Sequence, residues 1–475
     1  VRQVVDVQDL LSETGKKEGV LMQSGDWKDV YKSRLCKVDE AARAVRSGDR
    51  IMTPLMLGQP TNLIMDAIAD RKDELKGCEF NALLTMRPYK MMKPEYRGSF
   101  RINAGFLGTP AIRACFPESE SYGRYVPVSS FSTSKQYSYY RRPDVVVMMV
   151  TPPDRDGFVN LGPDLFFTRA MVEGLQTGRG IMGGARVVIA EENDQYPPAF
   201  GHTKLHVSKL THIVPNSSKL PAPPPPKPTE THHKIAENVV SLLRDRDTIQ
   251  IGIGALPMVV SDLIVKSDLR DIGVLTEMLP TGAPQWVEKG ICTGKFKKFR
   301  PGEINCTFMG PSAELYEFIR KNDFVKFFPS NMTNHPAILG AEDQLVGING
   351  ALELDLAGQV ASLTCGERIF SGHGGQIDFA MGCRMSEFGR MIIATESVGR
   401  DEKRNPVSRI VKFLKPGGLV NIPCHLVDYV VTENGIAGPL EGRSVAERAE
   451  ALINVAHPQF QDELVKAARD RGIFQ

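Results

Sequence analysis

The chain has 475 residues, 42% hydrophobic and 24% charged, and its 58 basic and 56 acidic side chains leave a net charge of +2. That length exceeds what one ordinary hydrophobic core organises, so two domains of roughly 200 residues or more are expected. The near balance of charge excludes a broad electrostatic footprint for nucleic acid or an anionic membrane, and no apolar run approaches the ~20 residues that span a bilayer.

Val1-Arg2-Gln3-Val4 lacks the charged-then-apolar pattern of a signal peptide. The absence of a first methionine reads as loss of a preceding segment, and the expected location is the cytoplasm, with a mitochondrial or other organelle matrix as the alternative. Residues 1–35 carry short helical patterns without assignable chemistry. A helix follows over 39–45, Ser47-Gly48-Asp49 stops it, and residues 50–55 read as a strand. Gly58-Gln59-Pro60 is a turn, after which Thr61 caps a helix over 62–76. The all-apolar run 145–150 is the kind of strand buried on both faces of a parallel sheet, and 185–191 repeats it. The proline-rich stretch 221–229 can pack as neither helix nor sheet. The expected division is therefore an N-terminal domain 1–220, a linker 221–231 and a C-terminal domain 232–475.

Beyond the linker the opening pattern returns at an offset of about 197 residues: helix 233–243, stop 244–247, strand 248–253, turn 255–257, helix 258–265. The chain thus reads as α/β class, two similar open-sheet α/β domains with mostly parallel sheets. A further strand ends at Glu277. Residues 289–300 are basic, 327–336 form a loop, 347–356 alternate as a half-buried strand, and 370–379 hold a second glycine cluster. Strand 389–394 and helix 444–456 complete the domain. The eight cysteines, at 36, 78, 115, 292, 306, 365, 383 and 424, include no CxxC pair and read as reduced core thiols rather than a disulfide frame or zinc site.

In open α/β sheets ligands bind outside the carboxyl ends of the strands, so the loop Gly252-Ile253-Gly254 and the carboxylate of Glu277 should open into one crevice. Glycines let backbone N–H groups approach an anion or developing oxyanion, although they also simply close tight turns. The third glycine of a dinucleotide fingerprint is missing, as are a Walker A loop and a G-x-S-x-G elbow. Glu277 ends an apolar strand, where a carboxylate needs either a cationic partner or a function. His202, His206 and His212 lack an acidic partner in register and read as loop residues rather than metal ligands; no metal is expected. His373 reads as a loop residue touching ligand, with a general base as the other reading.

Six motifs stand in one order: Gly252-Ile253-Gly254-Ala255-Leu256-Pro257, Leu275-Thr276-Glu277-Met278, Asn334-His335-Pro336, Ser371-Gly372-His373-Gly374-Gly375-Gln376-Ile377-Asp378-Phe379, Val431-Thr432-Glu433-Asn434-Gly435 and Ala451-Leu452-Ile453-Asn454-Val455-Ala456-His457-Pro458. With Glu192-Asn193-Asp194-Gln195-Tyr196-Pro197 in the first half, they make the chain from about Val38 onward resemble the acetyl-CoA hydrolase/transferase family, the family I CoA-transferases of the acetate, butyrate, 4-hydroxybutyrate and succinate type. The resemblance implies an active site at the domain interface and a ping-pong reaction. In it Glu277 attacks the acyl-CoA thioester, and the released CoA thiolate then attacks the glutamyl carbonyl. No general base is needed, which accounts for the missing triad. Two oxyanions must be stabilised. The resemblance gives one to the Gly375 N–H, supported by Gly374 and Gln376, and the other to Asn334. It also places CoA on Gly252, Gly254, Ala255, Leu256 and Pro257, with Gly374, Gly375 and Gln376. Coenzyme A and acyl-CoA are then substrates rather than a permanently bound cofactor. The partners are short-chain carboxylates, without nucleic acid or membrane, in a homodimer or homotetramer. A hydrolase using the same Glu277, and a non-catalytic CoA-binding protein, are the alternatives. His373 and the basic segment 294–302 depart from the family pattern, with an effect expected on the acyl pocket or the grip on CoA phosphates. Phe131, Tyr139 and Tyr140 read as packing or as the wall of a larger pocket.

Overall fold

The computed structural model describes residues 26–116, 123–177, 180–252, 254–401 and 403–474, so the helical patterns in 1–25 lie outside the described residues. Two compact units divide the chain: Val1–Pro223 with Asn305–Thr333, and Pro224–Ile304 with Asn334–Gln475. Ala222 through Glu230, which include most of the proline-rich stretch, are exposed. All eight cysteines are free, and five of them are buried.

In the first unit, helices α1 (Trp27–Arg34) and α2 (Val38–Arg43) lead into β1 (Arg50–Met52). Helix α3 (Asn62–Ala69) starts as its sequence dictates, with the Thr61 hydroxyl accepting the Leu63 N–H at 3.2 Å. It stops before the expected Lys76, because residues 70–76 offer only Leu75 for burial and cannot continue an apolar face. Strands β2 (Cys78–Leu83), β3 (Phe100–Phe106), β4 (Val145–Val150), β5 (Val187–Glu192) and β6 (His212–Pro215) join β1 in one parallel sheet, ordered β6-β5-β4-β1-β2-β3. All six residues of β4 are buried, as its apolar run requires.

A carboxylic acid lies inside this unit. Asp164 is fully buried, and a Cβ built on Gly58 would stand 2.9 Å from its Oδ2. Burial pushes the Asp164 carboxyl well above the usual carboxylate range, against the pull of the Gly58, Phe166 and Leu55 amides. The native state therefore keeps a proton that the unfolded chain releases above its ordinary value of 3.8. Stability falls as pH rises through that window, by about 1.4 kcal/mol for each pH unit over which only the native state holds the proton. Asp164→Asn, which cannot ionise, is expected to be more stable than the parent at pH ~8 and to lose the advantage below pH ~4 in denaturant titrations. An equal stability difference at both pH values would contradict this.

In the second unit, helix α4 (Glu230–Val240) precedes β7 (Thr248–Ile251), α5 (Ala255–Lys266) and β8 (Gly273–Leu275). Strands β9 (Leu345–Asn349), β10 (Arg390–Ala394), β11 (Tyr429–Thr432) and β12 (Gly435–Ala437) stand with them in the order β12-β11-β10-β9-β7-β8, parallel except for the β11–β12 hairpin, and further strands follow β8 in the same sheet. The first strand thus sits centrally in each unit's sheet, β1 between β4 and β2, and β7 between β9 and β8. That is the repeat visible in the sequence.

Three expectations are corrected. Ala255-Leu256-Pro257 is the first turn of α5 rather than a separate turn, since proline is tolerated where the N–H has no intrahelical partner. Residues 347–356 are not one strand: β9 ends at Asn349, and Glu353–Asp355, buried throughout, joins a small sheet with Val360–Ala361 and Ile410–Val411. Residues 327–336 are not an open loop, because Ser330–Thr333 is helical and α6 (Pro336–Ala341) begins at Pro336.

Candidate active site

Glu277 lies two residues beyond β8, whose three residues are all buried, and is itself half-buried. The pairing of Thr248 with Gly273 and Ile249 with Val274 makes β7 and β8 neighbours, so Gly252 and Glu277 leave the sheet from adjacent strand ends. Gly252 donates its N–H to Ile348 O at 3.2 Å, and the Asn349 amide donates to Gln250 Oε1 at 2.8 Å. Both bonds close the junction of β7 and β9, the switch point at which an open α/β sheet accepts a ligand. Gly254 (φ +127) adopts a conformation that favours glycine and starts α5 with no capping side chain; Ile253 is outside the described residues.

The second glycine cluster opens helix α7 (Gln376–Met385), with Gly375 at the N-cap and again no capping side chain. First-turn N–H groups without such a cap suit an anionic oxygen. Gly374 (φ +55) is held left-handed, and Gln376 donates to Gly350 O at 2.9 Å, tying the cluster to the end of β9. Helices α6 and α7 meet at glycines: Gly382 faces Leu339, and Gly340 faces Met385. A larger side chain at either position would separate the helices.

That close packing places Asn334, one residue ahead of the α6 N-cap, against the start of α7. Asn334 is fully buried, and its Nδ2 lies 3.5 Å from Oδ2 of Asp378, itself buried in the first turn of α7. A Cβ built on Gly375 would stand 2.5 Å from Oε2 and 2.6 Å from Cδ of Glu277, and closer still to Nδ2 of Asn334. The three residues expected to be catalytic therefore converge: a carboxylate and a carboxamide both press on the Cα of Gly375. Asp378 belongs to a motif already quoted, but its role beside Asn334 was missed. An acidic residue in the first turn of a helix is the signal that could have found it.

His335 is the N-cap of α6, its Nδ1 accepting the Ala337 N–H at 3.1 Å, and His373 is half-buried in the glycine cluster. Burial holds both imidazoles below their ordinary value of 6.5. As pH falls through that value the unfolded chain takes up protons that the native state resists, so stability drops toward the lowered values. The midpoint of thermal unfolding is expected to fall between about pH 7.5 and 5.5, and His335→Gln to weaken that slope. An unchanged slope in the variant would remove His335 as a cause.

The basic segment is answered by neighbouring acids: Lys295 pairs with Asp271 at 2.8 Å, Lys298 with Asp343 at 3.0 Å and Arg300 with Glu303 at 2.7 Å, while Lys297 Nζ donates to Glu303 O at 2.8 Å. These charges are paired within the unit. In the first unit Tyr139 and Tyr140 are exposed and meet edge-to-face with ring centroids 4.8 Å apart, as surface packing. His206 and His212 bond Ser208 and Thr211, and no group of three or more His, Cys, Asp or Glu among the described residues is placed to hold a metal. No helix among the described residues is long and apolar enough to cross a membrane.

Comparison with known proteins identifies the family. Residues 21–222 match the model of the acetyl-CoA hydrolase/transferase N-terminal domain, and residues 311–468 that of the C-terminal domain. A 4-hydroxybutyrate coenzyme A transferase of Clostridium kluyveri is 33% identical over 449 residues, 94% of this chain and 100% of that protein. A succinyl-CoA:acetate/propanoyl-CoA:succinate CoA transferase of Fasciola hepatica is 35% identical over 404 residues, 84% of this chain and 79% of that protein. The crystal structure of RipA from Yersinia pestis superposes with a TM-score of 0.86 at 27% identity, covering 95% of this chain and 100% of that one. The chain belongs to the acetyl-CoA hydrolase/transferase family.

Proposed function

We propose that the protein is an acyl-CoA:carboxylate CoA-transferase working by a ping-pong route through Glu277, on acids of the acetate, butyrate, 4-hydroxybutyrate or succinate class. The observation that carries this reading is the packing of the Glu277 carboxylate and the Asn334 carboxamide on one glycine, Gly375, at the start of a helix without a side-chain cap. Relatives named as CoA transferases acting on 4-hydroxybutyrate and succinate support the substrate class.

In this mechanism an Oε atom of Glu277 attacks the thioester carbonyl, the C–S bond breaks, and CoA leaves as thiolate from an acyl-glutamyl anhydride. The thiolate attacks the glutamyl carbonyl, forming an enzyme–CoA thioester and releasing the first acid. The incoming carboxylate repeats both steps in reverse. No proton moves to or from carbon, so the site needs oxyanion donors rather than a base. Asn334 Nδ2 and the N–H groups at the start of α7 supply them, with Asp378 steadying Asn334. The Gly252 loop and the first turn of α5 receive CoA. Binding energy from the long pantetheine arm is then available at the reacting carbonyl.

The test is incubation of acetyl-CoA or butyryl-CoA with and without a second acid, with chromatography of the acyl-CoAs and a free-thiol assay. New acyl-CoA that appears only with the acceptor, and little free thiol, supports transfer. Thiol release independent of the acceptor replaces it with the hydrolase reading, in which water attacks the same intermediates. A family described as both hydrolase and transferase supports keeping that second reading.

A further inference from the structure

A hairpin stands directly ahead of the second glycine cluster, with Thr364–Cys365 paired antiparallel to Arg368–Ile369. The loop that follows Ile410–Val411 closes over it. Leu419 donates its N–H to the Thr364 hydroxyl at 2.7 Å, and a Cβ built on Gly417 would stand 2.6 Å from Cγ of Glu367. All of these residues belong to the second unit.

This packing sets Cys365 against Lys415. The Lys415 ammonium donates to Cys365 Sγ at 3.1 Å, and the sulfur lies 3.6 Å from Oε2 of Glu353. The other oxygen of Glu353, a buried residue of the small sheet, accepts the Lys415 N–H at 3.0 Å. One carboxylate therefore holds both the lysine backbone and the thiol in place. The hydrogen bond to sulfur keeps the Lys415 amine above its ordinary value of 10.5, against burial and with support from Glu353 and Asp401.

The buried thiols are of another kind. Cys78 and Cys115 donate to the backbone oxygens of Arg46 and Ala111 at 3.4 and 3.2 Å, and burial pushes Cys115, Cys292 and Cys383 up to about 12. Such thiols stay protonated and inert. Cys365 is half-buried, so a small solute reaches it, and the ammonium at its sulfur is a ready counter-ion for the thiolate, the form that reacts with peroxide. The transfer chemistry uses neither residue.

We infer that Cys365 and Lys415 form an oxidation site, at which hydrogen peroxide joins the two side chains by a covalent S–N bond. The thiolate attacks one peroxide oxygen and the O–O bond breaks, leaving Cys365 as a sulfenic acid. Sulfur is oxidised by two electrons and the peroxide is reduced by two. The departing hydroxide takes a proton from the Lys415 ammonium, giving water and a free amine. That amine attacks the sulfenic sulfur; the S–N bond forms as the S–O bond breaks, and the hydroxyl leaves with an amine proton as a second water. A sulfenic acid condenses with a neighbouring nucleophile, and here a nitrogen already stands in contact with the sulfur. The bond closes the chain between positions 365 and 415 and fastens the loop to the stretch that leads to Gly375.

The test is treatment of the intact protein with hydrogen peroxide, followed by proteolysis and mass spectrometry. The expected product is a pair of peptides joined through Cys365 and Lys415, lighter than their sum by two hydrogen atoms and separated again by dithiothreitol. Lys415→Arg keeps a cation at the sulfur but removes the primary amine. It is expected to give no joined peptides, and its Cys365 is expected to run on to the sulfinic and sulfonic acids that the parent escapes. Cys365→Ser is expected to give neither product. Three results overturn the site: Cys365 left as a thiol while Cys36 or Cys424 is oxidised, Cys365 joined to a residue other than Lys415, or Cys365 passing to sulfinic acid equally in the parent and in Lys415→Arg. The first two are read on the parent alone and need no variant to fold.

Discussion

Glu277→Ala is expected to abolish CoA exchange, lowering turnover by about 10⁴-fold or more, because a methyl group offers no atom to hold either the acyl group or CoA. The side chain is half-buried at the end of a short strand whose neighbours make the fold, so its removal should leave melting nearly unchanged. Glu277→Asp separates chemistry from position. The carboxylate survives but withdraws by one methylene from the place where Gly375 and Asn334 meet it. Transfer is then expected to be lost while some acceptor-independent thiol release remains, because water is small enough to reach a misplaced intermediate. Incubation with acyl-CoA followed by mass measurement of the intact chain should reveal a CoA adduct in the parent and none in Glu277→Ala. Full exchange in either variant would remove Glu277 from the role of nucleophile.

The second large effect is steric. Gly375 has φ −96 and ψ 6, a conformation that alanine adopts without strain, so Gly375→Ala should fold. Its new methyl would nevertheless be 2.5 Å from Oε2 and 2.6 Å from Cδ of Glu277. These distances are well inside van der Waals contact, and the carboxylate and the Asn334 amide must move. A displacement near 1 Å at a reacting group costs about 10²-fold, and loss of an oxyanion donor about 10²- to 10³-fold. The expected outcome is a fall in kcat of about 10²- to 10³-fold with a small change in the unfolding midpoint, read from paired kinetics and melting curves. Activity within about tenfold of the parent would mean that the three residues do not act together.

Much of this arrangement could be read before any coordinate. The β-branched run ahead of Gly252, the apolar strand ending at Glu277 and the buried run Val145–Val150 are local patterns. Local patterns suffice because strand burial depends on each residue's own chemistry and its period along the chain. The same holds for the helix at Asn62, where Thr61 alone decides the start. The family motifs carried the site residues for a related reason: glycines at positive φ and a carboxylate at a strand end are requirements written at single positions.

Other features depended on residues far apart in sequence. Where β9 ends was decided by the small sheet that captures Glu353–Asp355, not by the alternation from 347 to 356, which reads as continuous. The return of residues 305–333 to the first unit has no local signature. That Lys295 and Lys298 of the basic segment pair with Asp271 and Asp343 could not be read locally, because only folding brings those acids to it. By itself the sequence determined most of the strands and the recurrence of one βα plan in both halves, and it singled out Glu277 as the candidate nucleophile. The tertiary structure decided that Glu277, Asn334 and Gly375 touch, because their meeting depends on the close approach of α6 and α7 at Gly340 and Gly382, a contact made across the chain rather than along it.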